Sequence, residues 1–329
     1  MRRVAVIWLP VLLLACAGCA GAGGGAEGYG GTGPRNTVPA AARSTGTTPV
    51  AITLVKIWEN EASQPYFPLE GLAGCVYTAD GSLLVCDEKR GMLCGLDSGT
   101  GRWFQFATPA IRPYRPVDVQ VDAFKVLVLD AGSRTVQRFD LSGAHQDEVL
   151  DFRDLDPSVS TLPGAFALDR DGRMVVTDLD QQDVLLLDTF LSLNNRLGGP
   201  GVADDQFLDP RGVTFLPDGR IVVADMGNAR LSRYGRQGFH EDIAGGRFDP
   251  DNPFIAPCGV AADRHGNLFV VDLLAGGIIV LDRDLRPIPV LLDGELPEGP
   301  VAIAVGPAGQ LAVTDRLRQA ILIYRVLYE

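Results

Sequence analysis

The sequence predicts an all-β protein assembled from six copies of one short-stranded unit. In each copy a small residue leads into a strand, a turn that often contains Asp-Gly follows, and a second strand ends in Asp. A polar loop and a third apolar strand complete the unit. The strand-ending acids recur every 43 to 48 residues, at Asp87, Asp130, Asp178, Asp225, Asp272 and Asp315. A period in the forties with alternating apolar residues predicts one four-stranded blade per copy, and hence a six-bladed β-propeller.

The remaining strands of each blade can be located from the same pattern. The third strands are predicted at Met92–Leu96, Val136–Phe139, Val184–Leu187, Leu231–Tyr234, Ile278–Leu281 and Ile321–Tyr324. Weaker outer strands are predicted at Trp103–Ala107, Glu148–Phe152, Asn194–Leu197, His240–Ile243 and Ile288–Leu292. The sixth copy has none, which would leave an unpaired edge. We therefore expect the β-prone run Ile52–Trp58 to pair with Ile321–Tyr324 and close the ring, in preference to an open solenoid.

The fourth copy carries the clearest form of the unit. It begins Pro210-Arg211-Gly212-Val213 and continues through the core Ala224-Asp225-Met226-Gly227-Asn228-Ala229-Arg230. This Ala-Asp-x-Gly-Asn-x-Arg pattern resembles the NHL repeat. The resemblance extends over residues 50–329 and implies a six-bladed propeller. It is weaker in blade one, at 86–90, and in blade three, where Leu179-Asp180-Gln181-Gln182 replaces the Gly-Asn pattern.

The N-terminal segment is typical of an export signal. Arg2 and Arg3 precede an apolar run of 12 residues, Val4 to Ala15, which is too short for a permanent membrane helix. It ends in Leu13-Leu14-Ala15-Cys16, which resembles a bacterial lipobox and implies acylation of Cys16, with Cys19 as the alternative. Plain secretion is the other interpretation. We expect a signal peptide at 1–15, a Gly/Ala/Thr-rich tether at 16–49 and the propeller at 50–329.

The formal net charge of −12 argues against nucleic acid as a partner, because an acidic protein gains nothing from counterion release at phosphates. Export and acylation together predict a protein that is lipid-anchored to a bacterial membrane, at the outer membrane or the cell surface. A Gly-rich tether of this length spans roughly 30 Å. The expected partners are the membrane, through the anchor, and a protein or glycan of the cell envelope.

The six strand-ending acids favour a structural role over a catalytic one. An Asp at the end of a strand can accept hydrogen bonds from loop N–H groups, and six equivalent acids are what a repeat produces. We also expect Arg134 and Arg230 to pair with Asp130 and Asp225 or with a neighbouring blade.

Positions that break the repeat are more informative about a site. The small residue that begins strand one, near the central channel, is Gly74, Ala165, Gly212, Gly259 or Ala302 in five blades, but Asp118 in the second. An acid there could bind a cation or polar ligand, or it could be solvated or paired with Arg115.

One face of a propeller, here called the loop face, carries the loops that enter strand one and those that join strands two and three. The candidate ligand-binding residues there form a basic set that could attract an anionic partner or pair with nearby acids such as Asp180 and Asp209. The set is Tyr114, Arg115, Arg134, Arg211, Arg230 and Arg318, with Lys89, Arg90 and Arg316 beside them.

Metal and catalytic signals are few. The three histidines, His145, His240 and His265, fall in different blades, so a zinc site is not expected. Propeller lactonases bind calcium in the channel through Glu, Asn and Asp, and Asp118 could supply one such oxygen ligand. No convincing second ligand is apparent. We expect no cofactor, with calcium as the one possible exception.

Cysteine spacing allows a disulfide within the first blade. If Asp80-Gly81 is a two-residue turn, Cys75 and Cys86 face each other across strands one and two, close enough for a bond. Cys86 and Cys94 are an alternative pair, and separate buried thiols are a third possibility. Cys258 has no obvious partner.

These observations favour a non-enzymatic binding or scaffold module. The alternative is a calcium-dependent hydrolase or lactonase with its site in the central channel. A channel lined by Val, Ala and Gly would favour the binding module, and converging carboxylate or amide oxygens would favour the enzyme.

Overall fold

The computed structural model describes residue 49 and residues 51–59, 69–107 and 115–329. The predicted signal peptide, both candidate acylation sites and Tyr114 therefore lie outside the described residues. The described chain forms six sheets, antiparallel except for one parallel pair in the sixth, which confirms the six-bladed propeller. Within this part of the chain no helix has the length and apolar character needed to cross a membrane.

Blades one to three each contain four strands in sequence order, from the channel outwards. Blade one has β2 (Leu72–Tyr77), β3 (Leu83–Asp87), β4 (Met92–Leu96) and β5 (Trp103–Ala107). Blade two has β6 (Pro116–Asp122), β7 (Lys125–Asp130), β8 (Thr135–Asp140) and β9 (His145–Asp151), followed by the one-turn helix α1 (Phe152–Leu155). Blade three has β10 (Pro163–Leu168), β11 (Met174–Asp178), β12 (Asp183–Leu187) and β13 (Leu193–Gly198).

Blades four and five follow the same order. Blade four has β14 (Pro210–Phe215), β15 (Ile221–Asp225), β16 (Arg230–Tyr234) and β17 (His240–Gly245), with a 3-10 turn at Met226–Asn228. Blade five has β18 (Pro257–Ala262), β19 (Leu268–Asp272), β20 (Ile278–Leu281) and the two-residue β21 (Pro287–Ile288).

The sixth sheet contains five strands and closes the ring. Its order is β22 (Val290–Asp293), β1 (Ile52–Glu59), β25 (Ala320–Tyr328), β24 (Gln310–Asp315) and β23 (Pro300–Val305). As predicted from the sequence, β1 pairs antiparallel with β25, from Ile52 opposite Tyr328 to Glu59 opposite Leu322. A hydrogen bond of 2.7 Å from Thr53 Oγ1 to Glu329 Oε1 adds to the pairing at the end of the two strands.

The prediction of one outer strand at Ile288–Leu292 in blade five is wrong. The chain divides there: Pro287 and Ile288 pair with β20, whereas Val290–Asp293 crosses to blade six and pairs parallel with β1. Pro289 lies at the division and has no N–H with which to continue a ladder. Its carbonyl oxygen accepts a hydrogen bond of 3.0 Å from the N–H of Ile52. The ring is therefore closed by pairing of β1 with two strands that are distant from it in sequence, β22 and β25.

The core consists of six hydrophobic clusters, one at each interface between neighbouring blades. Strand residues alternate between the two faces of their own sheet, so Val85 packs toward blade six while Leu84 and Cys86 pack toward blade two. Ile52 and Leu54 of β1 belong to the cluster between blades five and six, where both are fully buried.

This packing predicts that β1 contributes directly to stability. Substitution of Leu54 by Ala should lower the free energy of unfolding by about 2–5 kcal/mol, because it removes a fully buried side chain from a closed interface. Leu327→Ala is the matched control, since Leu327 lies on the paired strand but is 45% exposed. Denaturant unfolding of both variants measures the difference. Equal, small effects would mean that the interface with β1 does not support the ring.

Candidate functional site

The six strand-ending aspartates are buried and hold the loops of the loop face. Asp272 accepts hydrogen bonds from Ile255 N (2.7 Å) and Ala256 N in the entering loop, and from Leu274 N and Ala275 N (2.8 Å) in the loop after its own strand. In all six blades the strand-ending Asp accepts a backbone N–H from the entering loop, and each of these residues is at most 1% exposed. Five of them also accept backbone N–H groups from the following loop, whereas in blade four the side chains of Asn228 and Arg230 donate instead. The predicted structural role of these residues is confirmed.

The first strands of the six blades enclose a cavity of about 360 Å³ on the channel axis. The predicted small residues Gly74, Ala165, Gly212, Gly259 and Ala302 all line it. They must be small because the strands approach closely: a Cβ on Gly212 would lie 2.5 Å from the carbonyl oxygen of Cys258. The other wall residues are mainly apolar; the polar side chains are Asp118 and Gln120, with Glu88 and three arginines at the mouth.

Asp118 is the one acid among the six first-strand positions; it bonds to blade three and packs against blade one. Its two carboxylate oxygens accept hydrogen bonds of 2.9 Å from Val119 N on its own strand and from Phe166 N in blade three. On its other side is blade one, where a Cβ on Gly74 would lie 2.2 Å from Asp118 Oδ1. Burial raises the pKa of Asp118 to about 7, although the two N–H donors offset part of the effect. The side chain keeps part of its surface open to the channel.

Three arginines surround the loop-face mouth of this cavity. Glu88 bridges two of them, at 3.2 Å from Arg115 Nε and 2.9 Å from Arg316 Nη2. Arg211 pairs with Asp209 at 2.7 Å, as the sequence suggested. All three arginine side chains remain nearly half exposed, at 46–47%. The structure thus brings Arg115, Asp118 and Arg211 of the predicted set together.

The other predicted ligand-face arginines do not join them. Arg230 is buried: its guanidinium binds Asp225 (3.0 Å) and donates to the carbonyl oxygens of Ala203 and Gln206. Its assignment to the ligand face is therefore wrong, because the repeat uses it to anchor the entering loop. Arg318 pairs with glutamates of the loop before blade six. Arg134 does not line the cavity, and the donors bound to the carboxylate of Asp130 come from Arg115, Gly132 and Ser133.

The loop face also carries exposed aliphatic side chains that the sequence analysis missed. Ile255, Leu274 and Leu317 are 58%, 69% and 73% exposed, and we call them the apolar loop patch. The buried aspartates hold the patch in place: Ile255 N and Leu274 N donate to Asp272, and Leu317 N donates to Asp315. The hydrogen-bonded loop backbone therefore keeps the three side chains exposed.

The repeat itself contains a signal for this patch. Leu274 and Leu317 each lie two residues after the strand-ending Asp, where blade four has Gly227. The segment 294–299 contacts both loops, because Gly276 faces the carbonyl oxygen of Pro297 and Gly299 lies against the Leu317 side chain. Large apolar residues at a position that is Gly in the clearest repeat would have indicated a specialised surface.

The predicted cysteine register in blade one is wrong by one residue. The turn closes with Thr78 N bonded to Ser82 O, so Cys75 lies opposite Val85 and not opposite Cys86. Because side chains alternate, Cys86 points to the other side of the sheet. Cys94 also pairs with Val85, which places it two strands from Cys75. The four described cysteines are free and buried, and burial raises the pKa of Cys94 and Cys258 to about 12.

Among the described residues, no three His, Cys, Asp or Glu side chains are placed to hold a metal ion. The histidines lie on separate blades, where His145, His240 and His265 stack edge-on against Phe139, Tyr234 and Tyr328. These rings are packing elements of the outer strands and turns.

Comparisons with known proteins agree with this architecture. The NHL repeat model matches residues 207–234, which contain the first three strands of blade four. None of the curated protein sequences matches the chain. The chain is thus a six-bladed β-propeller with an NHL repeat in its fourth blade.

Three solved structures illustrate the likeness in fold. A streptogramin B lyase is 15% identical, with a TM-score of 0.60 over 82% of this chain and 98% of that one. A gluconolactonase from Xanthomonas campestris is 18% identical, with a TM-score of 0.62 over 79% and 88%. A virginiamycin B lyase from Staphylococcus aureus is 13% identical, with a TM-score of 0.62 over 84% and 100%. At these identities the likeness concerns the fold alone.

The raised pKa of Asp118 predicts a specific pH dependence. Between pH 3.8 and about 7 the folded state keeps a proton that the unfolded chain has lost. The contribution of Asp118 to stability is therefore fully present below pH 4 and is lost as the pH rises through 7. The free energy of unfolding of the wild type minus that of Asp118→Asn should fall by at least ~1 kcal/mol between pH 4 and pH 8.

Denaturant titrations across this pH range measure the difference. Asp122→Asn, the same change at the exposed end of the same strand, should leave the pH dependence in place. A difference that stays constant or rises with pH would contradict the assignment.

Proposed function

We propose that this chain is an exported, lipid-anchored binding protein without enzymatic activity, and that its loop face docks a protein of the bacterial cell envelope. The lipobox-like Leu13-Leu14-Ala15-Cys16 and the Gly-rich segment after it support the anchor and the tether. The proposed location is the outer membrane or the cell surface. The observation that carries the docking role is the apolar loop patch.

The patch has the chemistry of a protein-binding anchor. Ile255, Leu274 and Leu317 are exposed, and the buried aspartates fix the backbone that presents them. Burying an aliphatic side chain of this size is worth about 1.5–3 kcal/mol, and a few such anchors dominate typical interfaces. Little conformational entropy is lost on binding because the loops are already ordered. Aliphatic anchors favour a protein partner over a glycan, which would need mainly hydrogen-bonding groups.

The arginines at the channel mouth add an electrostatic contribution to partner selectivity. Arg115, Arg211 and Arg316 are half exposed, and their existing ion pairs with Glu88 and Asp209 leave donors available. Exposed charges of this kind contribute more to the rate and selectivity of association than to affinity. An acidic rim on the partner would complement them.

The channel supports a binding role over catalysis. Apolar residues form most of its wall, Asp118 accepts two backbone N–H groups, and the Gln120 amide donates to the carbonyl oxygen of Phe166. Calcium requires six to eight oxygen ligands, and no cluster of three suitable side chains is present in the described part of the channel.

The second candidate function is a calcium-dependent hydrolase or lactonase. Its support is the fold likeness to a gluconolactonase, together with Asp118 as a channel oxygen ligand. In that case backbone carbonyls and water would have to complete the calcium shell. The two candidates make opposite predictions, which two experiments separate.

The first experiment captures the full chain from membranes with its bound proteins. The double substitution Leu274→Glu and Leu317→Glu should reduce retention of the partner at least tenfold, because it removes two apolar anchors. Leu141→Glu is the matched control, since Leu141 is 51% exposed on the opposite side of the propeller. Quantitative mass spectrometry measures retention. Equal retention by all three proteins, or retention of a glycan alone, would overturn protein docking at the patch.

The second experiment tests the enzymatic alternative. Purified protein is assayed for hydrolysis of sugar lactones with added calcium and with chelator. We expect no calcium-dependent hydrolysis above background. Activity that requires calcium and is abolished by Asp118→Asn, but not by Asp122→Asn, would replace the binding function with the enzymatic one.

A further inference from the structure

The topology of the sixth blade determines which face the N-terminal segment approaches. The strand β25 begins at the loop face, and β1 runs antiparallel to it, with Ile52 opposite Tyr328. The hydroxyl of Tyr328 donates to Asp263 in the turn between β18 and β19, at 2.7 Å. Ile52 therefore lies at the side formed by the turns that join strands one to two and three to four. We call this side the hairpin face; it is opposite the loop face.

This placement constrains an anchored molecule. In the proposed anchored form, a lipid on Cys16 would be joined to β1, which begins at the hairpin face, by a Gly-rich segment whose expected span is roughly 30 Å. The chain thus enters the propeller on the side opposite the apolar loop patch.

Three phenylalanines project from the hairpin face of blades two, three and four. Phe124, Phe190 and Phe239 are 85%, 87% and 75% exposed. Each sits at a tight turn. Phe124 lies between Asp122 and Lys125, which form an ion pair with 3.1 Å between Lys125 Nζ and Asp122 Oδ2.

The other two turns are equally defined. Phe190 N donates to Asp188 Oδ1 at 2.8 Å, within a turn closed by Asp188 N and Ser192 O. Phe239 O accepts from Gly235 N at 2.8 Å. The hydrogen-bonded turns thus hold the three rings outward. Their exposure to water is unfavourable.

We propose that these three phenylalanine tips insert into the interfacial region of a zwitterionic phospholipid bilayer, so that the anchored propeller rests on its hairpin face. The inference depends on the proposed lipid anchor and not on the identity of the partner. The tether attaches at blade six, and the tips lie on blades two to four across the channel axis. Attachment on both sides of the axis holds the loop face toward the partner.

Charge and energy select this lipid class. The protein carries a net charge of −12 and is repelled by anionic lipid surfaces. Partial insertion of three rings buries only part of their apolar surface, so by itself it gives weak binding. A tether raises the local concentration to the millimolar range, at which weak insertion becomes effective.

Tryptophan substitution in the full-length protein tests the docking. The protein is purified from membranes and reconstituted in phosphatidylethanolamine–phosphatidylcholine vesicles with brominated acyl chains. Phe124→Trp, Phe190→Trp and Phe239→Trp are compared one at a time with the unsubstituted protein. We expect a blue-shifted added emission that the bromine quenches at least twofold at each position.

Phe248→Trp is the matched control. Phe248 is 96% exposed on the loop face, beside Arg247, which donates to the carbonyl oxygen of Gly227. Its added emission should remain unquenched. Equal quenching at position 248, or none at the three tips, would overturn the docking.

Two further measurements separate this inference from the proposed function. Mass spectrometry of the N-terminus reports whether Cys16 or Cys19 carries lipid; absence of lipid refutes the anchor, and the docking proposal with it. If lipid is present, the triple variant Phe124→Ser, Phe190→Ser and Phe239→Ser should lose at least half of the protection of the hairpin face from proteolysis on vesicles. Its partner capture in detergent should be unchanged. Unaltered protection in the triple variant would count against the docking alone.

Discussion

The pairing of β1 with β25 is the interaction on which the rest of the molecule depends. A ring of six sheets buries its hydrophobic clusters only when the first and last blades meet, and here that contact joins residues that are more than 260 positions apart in the chain. Closing the ring costs chain entropy, and the extensive pairing of β1 with β25 offsets that cost. The parallel strand β22 adds a second connection, which ties blade five to the same closing strand. The channel, the loop face and the hairpin face all take their geometry from this closure.

The buried aspartates fix the loops that form the loop face of the ring. In blades five and six each accepts backbone N–H groups from two loops and leaves Ile255, Leu274 and Leu317 of those loops facing solvent. In blade four the corresponding position is Gly227, which packs against Leu208, whereas blades five and six place leucines there. The same buried Asp is therefore followed by different side chains in different blades. Inside the channel, Asp118 likewise accepts backbone N–H groups, and its two oxygens join blades two and three.

The two faces of the propeller have different composition and different surroundings. The loop face has aliphatic anchors beside half-exposed arginines, a combination suited to a protein partner. The hairpin face has three ordered phenylalanine tips and receives the N-terminal segment. A membrane on one side and a partner on the other would give each face a role without requiring any reaction in the channel.

The amino-acid sequence by itself determined the number of blades, the structural use of the repeated Asp and the closing strand, because these depend on local periodicity that recurs six times. Tertiary structure decided the features that depend on a single residue of register or on a neighbouring element. Cys75 and Cys86 lie on opposite sides of their sheet because the turn contains one more residue than the spacing suggested. The segment Ile288–Leu292 divides because Pro289 cannot continue one ladder and Ile52 offers another. Arg230 is buried because the loop that enters blade four covers its guanidinium group, and the local repeat pattern does not reveal that contact.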